Sequence, residues 1–592
     1  LSTMGENQRR FRLPVGIIFV LSMVIAFSVF FYSDISDTLD NAVMLGEATV
    51  RGRFFNYYEY AATNLSKYTA YAANYNVLLY VLFLIWNLPT FIIHMITRFD
   101  YMTSIPALMW CKGIVALSLV GIFIMSRKIA AELGAGERRG FLAGFLSVSS
   151  CALLMSAMIA SQYDSIALFF MLCGMYFYLK KNTRMFVIMF GIAIPLKMFA
   201  LFILLPLLLL REKNLLRAAV IGAITFIPKI LCELPFRGDP YFTAALGSQN
   251  GDAAELILGA NLKLGDISLN LFVAAYFIIC IFAYLSSDES GYGAVYYSFA
   301  VFVALVVLVP IRSYWLILYT PFLAILAALR PQPHAIGILA DTAAGFFGTM
   351  YFLQHHWIYN TGDITGSLLL GGVGVPSGYT EKYGSYRVLA ESLGGDNVQY
   401  AMFALFAGAI VFCLVIFRPS CAAKLEDGAV IAGERYAVVL RILLTFIVTA
   451  VLLYSAFASL PMIRYGSDDI SDTRGRTDLL AGATATDTVI LDGDTVVNEL
   501  GIQFFPKKIT RKNHELVCVV LMDSRGGVVF SDSCGVSLVR EDEFVTFRMP
   551  SVKLLASEKY TLTVSCEIPS GKARGNLYPA VTDDGNIAVY MR

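Results

Sequence analysis

The sequence predicts a polytopic α-helical membrane protein that carries an all-β domain in its C-terminal part. Of the 592 residues, 57% are hydrophobic and only 15% are charged, and the mean hydropathy is +0.66. This apolar share is well above that of soluble domains. Apolar runs of about 20 residues, enough to cross a ~30 Å hydrocarbon core, recur between residues 14 and 460. Beyond residue 484 apolar and polar residues alternate, which is typical of strands.

The first apolar run, residues 14–32, is predicted to be a retained helix. It is long enough to span a bilayer, and it leads into acidic residues rather than into a small-residue cleavage site. Arg9, Arg10 and Arg12 precede it. The positive-inside rule therefore places the N-terminus in the cytoplasm and the acidic segment 33–41 on the outer face.

The next basic cluster, within residues 127–139, should also be cytoplasmic. Two apolar runs, 77–96 and 106–125, lie before it, and the cluster would end up outside if both of them crossed the membrane. We therefore expect residues 77–96, which Asn87 and Pro89 interrupt, to lie in or dip into the outer interface.

Residues 185–210 have basic residues at both ends. A re-entrant hairpin around Pro195 and Lys197, with arms of about 13 residues reaching about 20 Å, keeps both ends inside. Broken backbone at membrane depth is tolerated only where it is buried in protein or lines a cavity. With this hairpin the sequence predicts about 11–13 membrane helices. The other predicted spans are residues 142–158, 165–179, 215–232, 267–285, 292–309, 316–329, 335–353, 398–417 and 437–460.

The C-terminal part is interpreted as a linker, residues 466–483, followed by a small β-sandwich, residues 484–592. The linker is polar and charged, and the sandwich shows alternation at Tyr560, Leu562 and Val564. Asp-Gly, Arg-Gly-Gly and Pro-Ser-Gly turns separate its strand-like runs. The predicted strands are residues 486–491, 500–505, 515–522, 527–531, 543–549, 558–566 and 586–591.

Composition also excludes some functions. The ten cysteines are scattered without CxxC or Cys/His spacing, so we expect no metal site built from cysteine. We also expect no cofactor. The net charge of +1 says nothing about partners, but the sequence has no basic block that would suggest a nucleic-acid partner.

Three aspartates, Asp34, Asp37 and Asp40, follow the first helix at intervals of three residues, so they share one face if the segment is helical. An ionised aspartate acts as a base when it is held within hydrogen-bond reach of a hydroxyl. Alternatively, the acids only mark the water boundary, and Asp34 or Ser36 caps a helix.

Three further regions carry candidate residues. Lys197 lies at membrane depth, where an ionisable group is a functional hypothesis by default; an anionic lipid phosphate would suit it. Alternatively, it pairs with an acid of the chain, or its side chain snorkels towards an interface.

Arg312 precedes Tyr314 and Trp315 at a predicted outer face of the membrane. An arginine can bind a phosphate, and aromatic rings beside it suit a sugar or a lipid headgroup. Alternatively, Tyr314 and Trp315 are ordinary aromatic residues of the membrane interface. Gln162 and Asp164 lie at the outer end of a predicted helix.

Four segments, taken in their order along the chain, resemble the GT-C superfamily of membrane glycosyltransferases. They are the acidic first loop, SQYDSIALFFMLCGMYFYLKK, FGIAIPLKMFALFILLPLLLL and VPIRSYWLILYTPFL. The resemblance is to its mannosyltransferase-like branch, whose members carry a GQxD stretch, a lysine hairpin and an HxRY-like loop before a proline. It covers about residues 10–330, so residues 1–330 would be the catalytic module and 331–465 additional helices with an outer loop. Ser161 replaces the usual glycine, and Arg312 stands where many members have histidine.

The resemblance implies an inverting enzyme that moves mannose, glucose or a pentose from a polyprenyl-phosphate donor to a glycan, lipid or protein acceptor, usually without a metal. In that family an aspartate of the first outer loop is the base. Asp37 fits best by its distance to residues 52–54, and Asp34 is second. The family's juxtamembrane helix would be residues 77–96, and the sandwich resembles jelly-roll carbohydrate-binding modules. The resemblance assigns the donor phosphate to Lys197 and Arg312, and substrate contacts to Asp40, Gln162, Asp164, Tyr314 and Trp315.

Two other functions stay open. A transporter or flippase of lipid-linked sugars would also use an intramembrane lysine, but it predicts broken helices in two related halves, and the sequence shows one hairpin and no repeat. A non-catalytic envelope anchor predicts that the acids are dispensable. The expected location is a bacterial cytoplasmic membrane, with the site and the β-domain on the extracytoplasmic side.

Overall fold

The computed structural model has two compact units, which divide at residue 458. It describes residues 6–64, 72–102, 104–264, 267–287, 290–330, 335–355, 394–419 and 433–458 of the helical part. In the β-domain it describes residues 465–467, 471, 473–491, 493–510, 513, 515–540, 544–556, 558–567 and 575–591.

The helical unit is a bundle with one large apolar core. Its helices are α1 (Glu6–Val29), α2 (Ser33–Val50), α3 (Tyr57–Asn64), α4 (Val77–Trp86), α5 (Leu88–Thr97), α6 (Ile105–Glu132), α7 (Glu137–Val148), α8 (Cys151–Leu153), α9 (Asp164–Leu179), α10 (Thr183–Leu196), α11 (Ala200–Arg211), α12 (Leu215–Glu233), α13 (Pro240–Gly259), α14 (Leu271–Leu285), α15 (Tyr292–Leu308), α16 (Thr320–Leu329), α17 (Ile336–His355), α18 (Asp396–Ile416) and α19 (Glu434–Ala458).

Five helices among the described residues, namely α6, α12, α17, α18 and α19, are long and apolar enough to cross a membrane by themselves. The number rises to eight if three bent pairs each count as one span, and α9, α10, α11, α14, α15 and α16 are shorter apolar helices. The chain is therefore an integral membrane protein, and the predicted fold class, a polytopic helical module with a C-terminal β-domain, is confirmed.

The predicted interruption of residues 77–96 is present. Helices α4 and α5 meet at Asn87 with a bend of 75°. The Asn76 side chain caps α4 by accepting a hydrogen bond from the Leu78 amide, and Pro89 sits in the first turn of α5, where its missing N–H costs nothing. This segment is thus two short helices at an angle rather than one straight span.

The helical structure is also interrupted where the hairpin is predicted. Helices α10 and α11 have 14 and 12 residues, and Lys197 lies between them with an extended backbone. Pro195, in the last turn of α10, cannot donate to the carbonyl four residues earlier. The position of the break is therefore explained by the sequence; that both arms return to one face stays a prediction.

A third break separates α7 from α8, which continues as a π-helix (Leu154–Ile159) at a bend of 46°. The buried Arg441 guanidinium fills this break by donating to the Leu146 carbonyl (2.7 Å) and the Ser149 hydroxyl (3.0 Å). Asp341 balances its charge at 3.0 Å. These contacts satisfy helix-end groups that water cannot reach inside a membrane protein.

Some predicted boundaries differ. The segment between the spans predicted at 215–232 and 267–285 contains α13, which Asp239 caps, and β1 (Asn261–Leu264), which pairs with β2 (Ile267–Asn270). The span predicted at 267–285 therefore begins as a strand, and its helix starts at Leu271. Most of the predicted outer loop 354–397 lies outside the described residues.

The β-domain is a sandwich of two antiparallel sheets around a shared core. One sheet has the strand order β4-β9-β6-β7; in the other the order is β10-β5-β11-β3, and β8 also pairs with β5. The strands are β3 (Tyr465–Gly466), β4 (Ala485–Ile490), β5 (Thr495–Lys507), β6 (Leu516–Met522), β7 (Val528–Gly535), β8 (Phe544–Leu554), β9 (Lys559–Glu567), β10 (Asn576–Pro579) and β11 (Val589–Met591).

The alternation read from residues 558–566 is the burial pattern of β9, in which Tyr560, Leu562 and Val564 face the core. Described parts of the segment interpreted as a linker belong to the domain, because β3 pairs with β11 and Leu479 is buried in the core. The jelly-roll and carbohydrate-binding interpretation stays a prediction.

We expect Leu562→Ala to lower the free energy of unfolding of the β-domain by about 2–5 kcal/mol, because it leaves a cavity in a packed core. The Leu562 side chain is fully buried between the two sheets. Pulse proteolysis of the full chain across a urea series measures the change. Thr561→Ala, on the opposite face of the same strand, should shift the midpoint little; equal shifts would contradict the assigned core face.

Candidate active site

The site begins at the break between α1 and α2. Asp34 lies in the first turn of α2, where the helix dipole favours a carboxylate. Its Oδ2 accepts a hydrogen bond of 2.7 Å from the Gln162 Nε2. Two residues that are 128 positions apart in the sequence are thereby joined.

The other two acids of the predicted cluster are on the same helix, which is the condition under which their spacing places them on one face. Asp37 and Asp40 are buried, whereas Asp34 is only half-buried. The Tyr101 hydroxyl donates to Asp40 Oδ1 at 2.5 Å, so Asp40 connects α2 to the segment after α5. Of the three carboxylates, Asp34 is therefore the most accessible to a substrate.

Gln162 and Asp164 reach the site through an unusual turn. The π-helix ends at Ile159, and the Gln162 amide donates to the Ser156 carbonyl at 3.0 Å. Ser161 adopts a φ of 53°, in the left-handed region that favours glycine. Ser161 stands at the position where members of the resembled family have glycine. Its backbone adopts a conformation that glycine allows at little cost. Asp164 then begins α9.

Lys197 lies at the centre of the site. Its Nζ is 2.8 Å from Asp164 Oδ1 and donates to the Tyr75 hydroxyl at 3.2 Å. It also lies 4.4 Å from the ring centroid of Tyr75 and 4.9 Å from that of Tyr163, within cation–π distance. The alternative weighed for this lysine, pairing with an acid of the chain, is what the structure shows. An ammonium has three donors, and these two polar contacts use two of them.

The Arg312 segment packs on the same break. Trp315 is buried, and its ring meets the edge of Phe199, two residues after Lys197, at 4.7 Å. Tyr314 is an electrostatic neighbour of Asp34, Asp164 and Arg312. The half-buried Arg312 guanidinium makes no hydrogen bond or ion pair with any residue that the structure describes. A cation in this position is open to an anionic ligand.

Two tyrosines of the site were not predicted. Tyr75 and Tyr163 meet edge to face at 5.7 Å and together cover the Lys197 ammonium. Tyr163 lies inside the SQYD stretch, so its place beside Gln162 could have been noticed. Tyr75 stands in the segment before α4, which has no pattern that links it to a residue 122 positions away.

The arrangement combines two carboxylates, Asp34 and Asp164, with two cations, Lys197 and Arg312. Such a site can hold an anion against the cations and leave a carboxylate as a base. The predicted substrate residues Gln162, Asp164 and Tyr314 are part of it. Over the described ranges of the chain, no three His, Cys, Asp or Glu side chains are grouped so as to hold a metal ion.

No protein-family model matches the sequence, and no curated protein matches it. Among solved structures, the chain is similar to ArnT from Cupriavidus metallidurans bound to undecaprenyl phosphate, with a TM-score of 0.37 and 14% identity over 76% of this chain and 77% of that chain. The apo state of the same protein gives a TM-score of 0.36 at 13% identity, covering 77% of this chain and 78% of that chain.

The chain is also similar to the arabinosyltransferase EmbB from Mycobacterium smegmatis, with a TM-score of 0.34 and 10% identity over 100% of this chain and 66% of that chain. These similarities assign no ligand and no residue role to this chain.

Proposed function

We propose that the chain is an inverting glycosyltransferase that takes a sugar from a polyprenyl-phosphate donor and places it on an acceptor at the outer face of the membrane. The observation that carries the proposal is the cluster in which Asp34, hydrogen-bonded to Gln162, is an electrostatic neighbour of the Lys197–Asp164 pair, with Arg312 near Tyr314. The sequence resemblance supports the same chemistry. Mannose, glucose or a pentose would be the sugar, and an envelope glycan, lipid or protein the acceptor.

In the proposed reaction, Asp34 takes the proton of an acceptor hydroxyl while the acceptor oxygen forms a bond to the anomeric carbon. The bond from that carbon to the donor phosphate breaks, and the electron pair leaves with the phosphate. Lys197 and Arg312 offset the charge that grows there. A phosphate is a good leaving group, so the scheme needs one carboxylate rather than the acid and base of inverting hydrolases.

Asp34 is preferred to Asp37 as the base on structural grounds. The sequence favoured Asp37, with Asp34 second. Asp34 is the less buried of the two, and it contacts Gln162 next to the Lys197–Asp164 pair. The first requirement for a general base is that it lies within hydrogen-bond distance of the substrate hydroxyl.

Asp164 holds Lys197 but also reduces its attraction for an anion. We expect Asp164→Asn to lower the donor KM by about fivefold or more, because a neighbouring unit charge contributes about 1 kcal/mol even in water. The turnover number should fall, since Lys197 loses the partner that orients it. Initial rates over a donor concentration series measure both constants. A donor KM that rises in this variant would contradict the competition between Asp164 and phosphate.

The proposed function is tested with purified protein in nanodiscs and a panel of polyprenyl-phosphate sugars. We expect one sugar class to be released or transferred, with inversion at the anomeric carbon shown by product NMR. Matching lipid phosphates without sugar serve as binding controls. Folded protein that binds and turns over none of these lipids would overturn the proposal.

The transport alternative predicts broken helices in two related halves. The three bent helix pairs found among the described residues all lie before residue 160, and the Lys197 break follows at the end of α10. The described later helices supply no matching set. The distribution of breaks therefore favours one catalytic module over a pair of related halves.

A further inference from the structure

Lys112 is a second buried lysine, and it does not belong to the donor site described above. It lies within α6 and is fully buried. Its Nζ donates to three backbone carbonyls, those of Ala26 (2.9 Å), Phe27 (2.8 Å) and Phe30 (2.6 Å). Within the described part of the chain, no carboxylate lies within ion-pair distance of it. All of its polar contacts are with the end of one helix.

These carbonyls belong to the last turn of α1 and to the residue after it. The final carbonyls of a helix lack intrahelical partners, and they carry the negative end of the helix dipole. A buried ammonium with three donors satisfies them and complements the dipole. Lys112 therefore defines where α1 ends inside the protein.

The same region of α6 also contacts the start of α2. The Cys111 thiol faces the Ile35 carbonyl at 3.8 Å, one residue after Asp34. Only three residues, 30–32, separate the two helices, and the axes of α1 and α2 differ by 57°. A short connection clamped at both ends leaves the Asp34 backbone little freedom.

We propose that Lys112 is a positioning residue for the reaction: by fixing the end of α1, it sets the position of the Asp34 carboxylate. This inference rests on the proposed function, because it assigns Asp34 to the chemistry. It predicts a loss in the chemical step without a loss in donor binding, since Lys197 and Arg312 are untouched. A displacement of about 1 Å in a reacting group costs about a hundredfold in rate.

The test compares Lys112→Met, Lys112→Arg and wild type. We expect Lys112→Met to lower kcat by about a hundredfold and to leave the donor KM within about threefold. Lys112→Arg, which keeps donors for the carbonyls, should recover most of kcat. An unchanged kcat in Lys112→Met, or a folded Lys112→Arg that is as slow as Lys112→Met, would overturn the proposal.

Lys213→Met is the matched control for loss of a helix cap. The Lys213 Nζ donates to the carbonyls of Ala283, Tyr284 and Ser286 at the end of α14 and to the Leu209 carbonyl of α11. Among the described residues, its side chain makes no hydrogen bond with a residue of the site. The kcat of Lys213→Met should stay near that of wild type. A loss equal to that of Lys112→Met would show a general effect of removing helix caps and would overturn the positioning role.

Amide hydrogen exchange provides a readout that needs no turnover. In Lys112→Met we expect faster exchange over residues 26–36 and little change elsewhere. Unchanged exchange in this segment would overturn the proposal even if the wild type transfers no sugar, so the two failures are distinguishable. If Lys112→Met does not fold, Lys112→Gln replaces it, with intermediate exchange and an intermediate kcat expected; wild-type values of both would overturn the proposal.

Discussion

Asp34→Asn should lower sugar transfer by about a hundredfold to ten-thousandfold, the usual contribution of a general base. The amide keeps the size of the side chain and its contact with Gln162, but it cannot take a proton from the acceptor. Donor binding should change little, because the phosphate is held by Lys197 and Arg312. The measurement is kcat and donor KM with the sugar donor found in the panel assay, on protein shown to be folded.

Asp37→Asn is the control that separates the two candidate bases. Asp37 lies one turn further along α2 and is buried. We expect a smaller loss of kcat in Asp37→Asn than in Asp34→Asn. If Asp37→Asn abolishes transfer while Asp34→Asn retains it, the assignment from sequence is correct and the assignment from the geometry fails.

The sequence predicted the interruptions at residues 87–89 and 195–197 from their proline and asparagine residues. Asn87 with Pro89, and Pro195 before Lys197, mark real interruptions. Pro195 removes a helix hydrogen bond, whereas Pro89 stands in the first turn of a helix, where its missing N–H has no partner to lose. The spacing of Asp34 and Asp37 predicted a shared face on condition that the segment is helical, and α2 meets that condition. The alternation in β9 predicted its buried face. All of these are properties of neighbouring residues.

What the sequence could not predict are contacts between distant segments. The Lys197 ammonium meets Asp164 and Tyr75, and the partner of Asp34 is Gln162; none of these pairs has a periodic signature. The end of α1 looks like an ordinary apolar run, and only packing reveals that Lys112 caps it. Burial of polar groups fixes these pairings, because each must find a partner away from water.

Lys197→Met should have the other large effect, and it should act on two quantities at once. Losing a charged hydrogen bond to the phosphate raises the donor KM by about tenfold to a hundredfold. The substitution also leaves the Asp164 carboxylate, which is 1% exposed, without its cation. An uncompensated buried charge costs about 3–5 kcal/mol of stability. Donor kinetics and thermal unfolding in the same nanodiscs measure the two effects separately.

The double variant Lys197→Met with Asp164→Asn tests whether the ion pair serves donor binding or only the stability of the fold. Both side chains are then neutral and of similar size, so stability should return towards that of wild type. If Lys197 binds the donor phosphate, the donor KM must stay high in this stable protein, because the cation is still missing. If the pair only holds α9 against the break after α10, the double variant should recover donor KM and turnover together with stability. Recovery of all three would remove Lys197 from the donor site and leave Arg312 as the phosphate-binding cation of the proposed site.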